Sequence, residues 1–253
     1  MQEINFSGLI KINKPVGITS YDCIRHIKRI LNTKKIKIGH AGTLDPFASG
    51  LMLICIGREA TKTIDQLMTQ DKEYLVKAKL GELTDTLDLT GKVLESKILE
   101  SKILESKILE PKTINPSLTK QDIEKAIKEL GTSYIQTPPI YSALKHHGKP
   151  LYELAREQKM ETYELEDIVQ KKSRQVEIYK IEVLNVELPF FTFKAHVSKG
   201  TYIRSLAEDI AQKLDLHATT YELERTKIGD YKLEDATKLC DLKTVEDIKN
   251  FIK

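Results

Sequence analysis

The chain has no tryptophan, only three cysteines and no apolar run of membrane-spanning length. Each shortage excludes a class of protein. Cys23, Cys55 and Cys240 are scattered and odd in number, which suits neither a disulfide framework nor a Cys-x-x-Cys metal site and points to a reducing cytoplasm. Leu51 to Ile56 is apolar but only of strand length, far short of the ~20 residues a membrane helix needs. Met1 to Gly8 carries Glu3 and lacks the basic-then-apolar order of a secretion signal. A net charge of +3 over 253 residues decides nothing alone, but its distribution is uneven. Between Asp22 and Asp45 there is no acidic residue, while Arg25, Lys28, Arg29, Lys34, Lys35 and Lys37 fall there with His26 and His40. Such a block suits a phosphate backbone, or a solvated helix face.

The pattern along the chain is that of a globular α+β protein. Gly8 to Asn13 reads as a strand ending at the Lys14-Pro15-Val16-Gly17 turn. A helix is predicted from Ser20 as N-cap, with Ile24, Ile27, Ile30 and Leu31 as its apolar stripe. Leu51 to Ile56 and Tyr74 to Leu80 read as strands. Val176 to Leu188 and Phe190 to Val197 read as a strand pair turning near Pro189. Helices are predicted at Asp122 to Leu130, Leu151 to Gln158 and Tyr202 to Leu214. The order lacks the regular alternation of a parallel sheet.

Leu94 to Glu110 stands apart, because the pentad Leu-Glu-Ser-Lys-Ile repeats there and stops at Pro111. A five-residue period advances ~140° per repeat on a helix, so Ile98, Ile103 and Ile108 cannot share one face. We read it as a surface insertion outside the chemistry. Deleting one pentad is expected to leave the melting temperature unchanged, and a melting point lower by many degrees would contradict that reading.

The most informative segment is Gly39-His40-Ala41-Gly42-Thr43-Leu44-Asp45-Pro46-Phe47-Ala48-Ser49-Gly50. Its glycines imply unusual backbone conformations or the close approach of another molecule. Pro46 stiffens the support of Asp45. No Gly-Lys-Ser/Thr follows, so it is not a P-loop. Three further clusters stand out: Lys72-Glu73-Tyr74 with Thr84-Asp85-Thr86-Leu87-Asp88; Gln136-Thr137-Pro138-Pro139-Ile140-Tyr141-Ser142-Ala143-Leu144-Lys145; and Ser198-Lys199-Gly200-Thr201-Tyr202-Ile203-Arg204. Singly, each also reads as ordinary structure: a capped turn, a core tyrosine, a proline turn, a helix start. Asp85 with Asp88, and His146 with His147, lack metal-ligand spacing.

Together and in this order, these motifs resemble the TruB family of pseudouridine synthases, from about Gly8 to Gly229. The resemblance implies a mixed, mainly antiparallel pseudouridine synthase sheet with flanking helices and an RNA-binding insertion. It implies isomerisation of the T-loop uridine at tRNA position 55, with no metal or organic cofactor. By resemblance, Asp45 is the catalytic carboxylate, Arg204 the cation that pairs with it, and Tyr74 the ring that stacks on the flipped base. Tyr202, Leu223, His40, Thr43 and Lys14 match residues that surround or bind the substrate. Covalent attack on sugar or base, and assisted elimination at the ribose, both remain open for Asp45. The expected organisation is a catalytic domain over 1–230, with insertions at 94–111 and about 137–156. A short helical tail over 231–253 would follow, without the PUA module common in the family. The implied partner is the tRNA T-arm, met by a cytoplasmic monomer with no obligate protein partner.

Overall fold

The computed structural model describes residues 7–32, 35–94, 114–157 and 160–252. Most of the pentad segment and Lys34 of the basic block lie outside the described residues. Strand β1 (Gly8–Lys14) leads to α1 (Ser20–Ile30). Thr19, one residue before the predicted N-cap, closes a capping box with Asp22, which satisfies two otherwise orphaned backbone donors. Helix α1 buries Cys23, Ile24 and Ile27. Strands β2 (Ile38–His40) and β3 (Ser49–Ile56) flank the loop of residues 41–48, and β3 is buried from Gly50 onward. Two short helices, α2 (Arg58–Lys62) and α3 (Ile64–Met68), precede β4 (Lys72–Leu80). On β4 the even-numbered residues are buried and the odd-numbered ones are not, the two-residue period of a strand with one core face.

Helix α4 (Lys120–Leu130) starts with a second capping box, between Thr119 and Asp122. It is followed by β5 (Ser133–Gln136) and a tight hairpin of β6 (Lys145–His146) and β7 (Lys149–Pro150). Next come α5 (Leu151–Arg156) and α6 (Thr162–Lys171), then the long pair β8 (Arg174–Glu187) and β9 (Phe190–Val197). Helix α7 (Ile203–Gln212) leads to β10 (Ala218–Ile228), β11 (Tyr231–Lys232), β12 (Thr237–Lys238) and α8 (Val245–Phe251). The tail is therefore less helical than predicted, since two 3₁₀ turns and β12 precede α8.

The described fold divides into two compact units, Met1–Leu75 with Glu222–Lys253, and Val76–Tyr221. The first contains the strand order β12-β1-β3-β10. There β1 and β2 run antiparallel to β3, while β12 is parallel to β1 and β10 parallel to β3. Its core joins Leu51, Leu53 and Cys55 of β3 to Ala41, Leu67 and Ile228. The second contains the antiparallel order β9-β8-β5. The segment from Ile140 to Val169 has its own apolar cluster, built from Leu151, Leu154, Leu165 and Val169 with Ile140 and Leu144. The sheet is mixed and mainly antiparallel with flanking helices, which makes the class α+β.

Candidate active site

In the first unit, strand register builds a row across three strands. Lys14 of β1 and Arg225 of β10 both stand opposite Gly50 of β3. Both cations are almost fully buried, at 0 % and 1 % exposure. Glycine between them is required: its φ is +107°, and a Cβ there would lie 2.4 Å from the Arg225 carbonyl oxygen. A buried cation needs acceptors, and here backbone carbonyls supply them, three of the six from the loop of Asp45. Arg225 donates from Nε to the Leu51 carbonyl at 2.8 Å, from Nη2 to Gly42 at 3.1 Å and from Nη1 to Thr43 at 3.4 Å. Lys14 Nζ donates to the Pro15 and Ile18 carbonyls at 2.9 Å each and reaches the Pro46 carbonyl at 3.5 Å.

Ser20 closes the arrangement. Its hydroxyl donates to the Leu44 carbonyl at 2.9 Å and accepts the Leu44 N–H at 2.8 Å. This use explains why Thr19, and not Ser20, caps α1. The Gly17 N–H donates to the Pro46 carbonyl at 2.8 Å, and Ala48 N–H to Asp45 O at 3.1 Å. Ala41, Leu44, Phe47 and Ala48 drive the loop into the core. Asp45 is thus half-buried on a loop fixed from both flanks. Burial pulls the Lys14 ammonium down to about 8, while the Asp45 carboxylate acts in the opposite sense.

His40 ends β2, and burial, then the Arg225 charge, holds its imidazole below its ordinary value. Its Nδ1 is buried without a hydrogen bond. Tyr74 of β4 and Leu223 of β10 are both buried, while Thr43 is exposed. Thr226 Oγ1 of β10 donates to Glu73 Oε1 at 2.9 Å, beside Tyr74 in sequence.

The second unit carries Tyr202 and Arg204 at the start of α7. Arg204 is buried at 4 % exposure. Its Nη1 stands 3.3 Å from Asp88 Oδ2 and donates to the Thr86 carbonyl, and its Nη2 donates to the Tyr141 carbonyl at 2.9 Å. Asp88 is braced in turn, since the Thr90 N–H donates to its Oδ1 at 2.9 Å. Tyr141 also donates from its hydroxyl to Asp85 Oδ2 at 3.3 Å. The Thr-Asp-Thr-Leu-Asp turn is therefore a cradle for Arg204. A guanidinium buried beside a carboxylate and two carbonyls is held in a fixed direction.

Tyr202 is the N-cap of α7. Gln136 Oε1 accepts its N–H at 2.8 Å and Gln136 Nε2 donates to its carbonyl at 3.1 Å. The Arg174 guanidinium lies 5.1 Å from the Tyr202 ring centroid. Behind them, Tyr134 donates to Asp209 Oδ2 at 2.7 Å. Burial pushes the Asp209 carboxyl up to about 6, against the hydrogen bonds from Tyr134 and Gln136. Because the folded value exceeds the ordinary 3.8, the folded state holds a proton that the unfolded chain has released. Stability therefore falls as pH rises from about 4 to about 6, by on the order of 2–3 kcal/mol. Asp209→Asn is expected to lose that slope, so urea titrations at pH 4.5 and 7.5 should show the variant gaining on wild type at the higher pH. An equal difference at both pH values would contradict it.

The sequence-predicted residues Lys14, His40, Thr43, Asp45, Tyr74 and Leu223 all fall in the first unit, and Tyr202 and Arg204 in the second. Sequence reasoning passed over Arg225, Ser20, Gln136 and Asp88 as parts of the site. Gln136 and Asp88 lie in clusters singled out there without a site role, Asp88 being weighed as a cation ligand; here Asp88 is the ion-pair partner of Arg204. Among the described residues, no cluster of three or more His, Cys, Asp or Glu side chains is placed to hold a metal.

Comparison with known proteins agrees with this architecture. The chain in a Cbf5–Nop10–Gar1 complex superposes with a TM-score of 0.63 at 29% identity, over 93% of this chain and 53% of that one. The match to an H/ACA RNP bound to a substrate RNA containing 2'-deoxyuridine has a TM-score of 0.61 at 27% identity, over 93% of this chain and 52% of that one. This chain thus spans about half the length of those two. The fold is that of the pseudouridine synthases. Residues 28–203 match the model for the TruB family pseudouridylate synthase, N-terminal domain. The tRNA pseudouridine synthase B of Clostridium tetani is 44% identical over 246 residues, covering 97% of this chain and 75% of the relative. That of Haemophilus influenzae is 35% identical over 240 residues, covering 95% and 68%. The chain belongs to the TruB family of pseudouridylate synthases.

Proposed function

We propose that the protein isomerises the T-loop uridine at position 55 of tRNA to pseudouridine, with Asp45 as the catalytic carboxylate. The observation that carries this reading is the Asp45 loop itself, an acidic side chain on a backbone fixed by two buried cations and a serine. The names of the relatives, tRNA pseudouridine synthase B, support the substrate.

In the reaction the N1–C1′ bond breaks, the base turns and the C5–C1′ bond forms. The proton at C5 leaves and N1 ends protonated, so atoms and electrons balance without oxidant, reductant or water. The chemistry therefore asks for positioning, a carboxylate and a cation, and requires no cofactor. Asp45 acts at the ribose or the base, by covalent attack or by assisting elimination. Arg204, braced by Asp88 and the Thr86 and Tyr141 carbonyls, is the cation we assign to the chemistry. The target base must leave its stack to be reached, and Tyr74 provides the ring that receives it. Tyr202, Leu223, Thr43 and Lys14 are the residues we assign to substrate binding, and the uncharged His40 contacts the rearranged RNA. Arg25, Lys28, Arg29, Lys35 and Lys37 form a phosphate track, and the segment 137–156 grips the T-arm. We propose that residues 1–230 are the catalytic domain, acting in the cytoplasm as a monomer without an obligate protein partner.

An isolated T-arm stem-loop incubated with the protein tests this. Nucleoside analysis should show one uridine converted to its isomer with no change in total mass. Conversion only of full tRNA supplied with other proteins or a guide RNA would overturn the standalone reading.

A further inference from the structure

Three residues of α7 or its cap, Tyr202, Ser205 and Asp209, stand at positions i, i+3 and i+7, which is one helix face. All three are held by the polar end of β5. Gln136 holds both backbone groups of Tyr202, Ser205 Oγ donates to the Thr137 carbonyl at 3.0 Å, and Tyr134 donates to Asp209 at 2.7 Å. Gln136 is 1 % exposed. Besides its two bonds to Tyr202, its Nε2 donates to the Tyr134 hydroxyl at 2.7 Å. Its register partner on β8 is Arg174, which donates from Nη2 to the Gly200 carbonyl and stacks over Tyr202. A Cβ at Gly200, whose φ is +81°, would come within 2.9 Å of that guanidinium.

Apolar packing lets a helix slide or turn at little cost, because it is non-directional. A side-chain amide bound to both the N–H and the C=O of one residue does not, because two hydrogen bonds fix both position and angle. The Gln136 amide grips the residue at which α7 begins, two residues before Arg204. A rotation of α7 by a fraction of a turn would swing the Arg204 guanidinium away from Thr86, Asp88 and Tyr141.

We propose that Gln136, seconded by Arg174, is a positioning residue. By clamping the backbone of Tyr202 it sets where the Tyr202 ring and the Arg204 guanidinium stand during turnover. This rests on the functional reading above, in which Tyr202 and Arg204 belong to the active site. Gln136 is buried, so in this reading it acts through Tyr202.

The test uses the full chain with Gln136→Met, which keeps volume and removes the bonds, and Gln136→Glu, which keeps the acceptor and makes the donor depend on pH. For Gln136→Met we expect kcat to fall about 100-fold, as for a misplacement near 1 Å, with KM within about threefold. Hydrogen exchange of the Tyr202 amide should speed up at least about tenfold. Gln136→Glu can donate to the Tyr202 carbonyl only while protonated. Beside Asp209, Tyr134, Glu208 and Arg174, it should give a kcat that falls with rising pH along a limb absent from wild type. Arg174→Lys, which keeps charge but loses the planar stack, should show a smaller kcat loss.

A kcat for Gln136→Met within threefold of wild type, a loss confined to KM, or a Gln136→Glu profile parallel to wild type would each overturn the proposal. Failure of the functional reading looks different. Wild type would then make no pseudouridine, while the exchange rate at Tyr202 would still decide whether Gln136 clamps the helix.

Discussion

Asp45→Asn is expected to reduce single-turnover pseudouridine formation by about 10⁴-fold or more, the scale seen when a reacting group is removed. The tRNA dissociation constant should move by less than about threefold, since one side-chain oxygen is exchanged for an amide of the same shape. The supporting loop predicts this separation. Leu44, Phe47 and the bonds from Ser20, Lys14 and Arg225 use backbone groups and apolar side chains, so the loop should keep its shape when the carboxylate goes. Melting temperature should change by only a few degrees. Residual turnover within tenfold of wild type would remove Asp45 from the chemistry, and a collapse in melting temperature would show that its charge is structural.

Arg225→Met carries the second large effect, and it falls on both stability and rate. The substitution leaves the carbonyls of Leu51, Gly42 and Thr43 without their donor. Each buried acceptor left unpaired costs about 1–3 kcal/mol. Over three carbonyls the sum is on the order of 3–9 kcal/mol, which for a chain of this size lowers the melting temperature by about 10 °C or more. Because the released carbonyls flank Thr43 and Leu44, Asp45 loses its fixed direction, and kcat should fall about 100-fold. Arg225→Lys should recover part of the stability and little of the rate, since one ammonium cannot match the fork that spans three carbonyls. A melting temperature within 3 °C of wild type and turnover within threefold would refute the clamp.

Much of this was legible in the chain, and the exceptions share a cause. The pair β8 and β9 was readable because alternation is unbroken along β9 and is interrupted in β8 only at two register shifts, with Pro189 marking the turn between them. Helix α4 was readable because Ile123 and Ala126 face inward behind a Thr–Asp capping box. Strand β10 was not read, because Arg225 occupies a core position where a charge normally reports solvent. The acidic helix α6 went unread, since its buried stripe is only Leu165 and Val169. The family motifs exposed Asp45, Tyr74 and Arg204 as candidates, yet not what holds them. Gln136 with Tyr202, and Asp88 with Arg204, meet across long sequence separations, and no local period or cap announces such a bond. Side chains that bind backbone leave little trace in a single sequence.

One measurement tests residue, reaction and position together. Carbodiimide mapping of pseudouridine on an unmodified full-length tRNA transcript, with wild-type and Asp45→Asn protein in parallel, reads the modified base at nucleotide resolution. The account predicts a single stop at the T-loop uridine with wild type and none with the variant. A stop that persists with Asp45→Asn, a stop elsewhere in the tRNA, or none with wild type despite tight binding would contradict it.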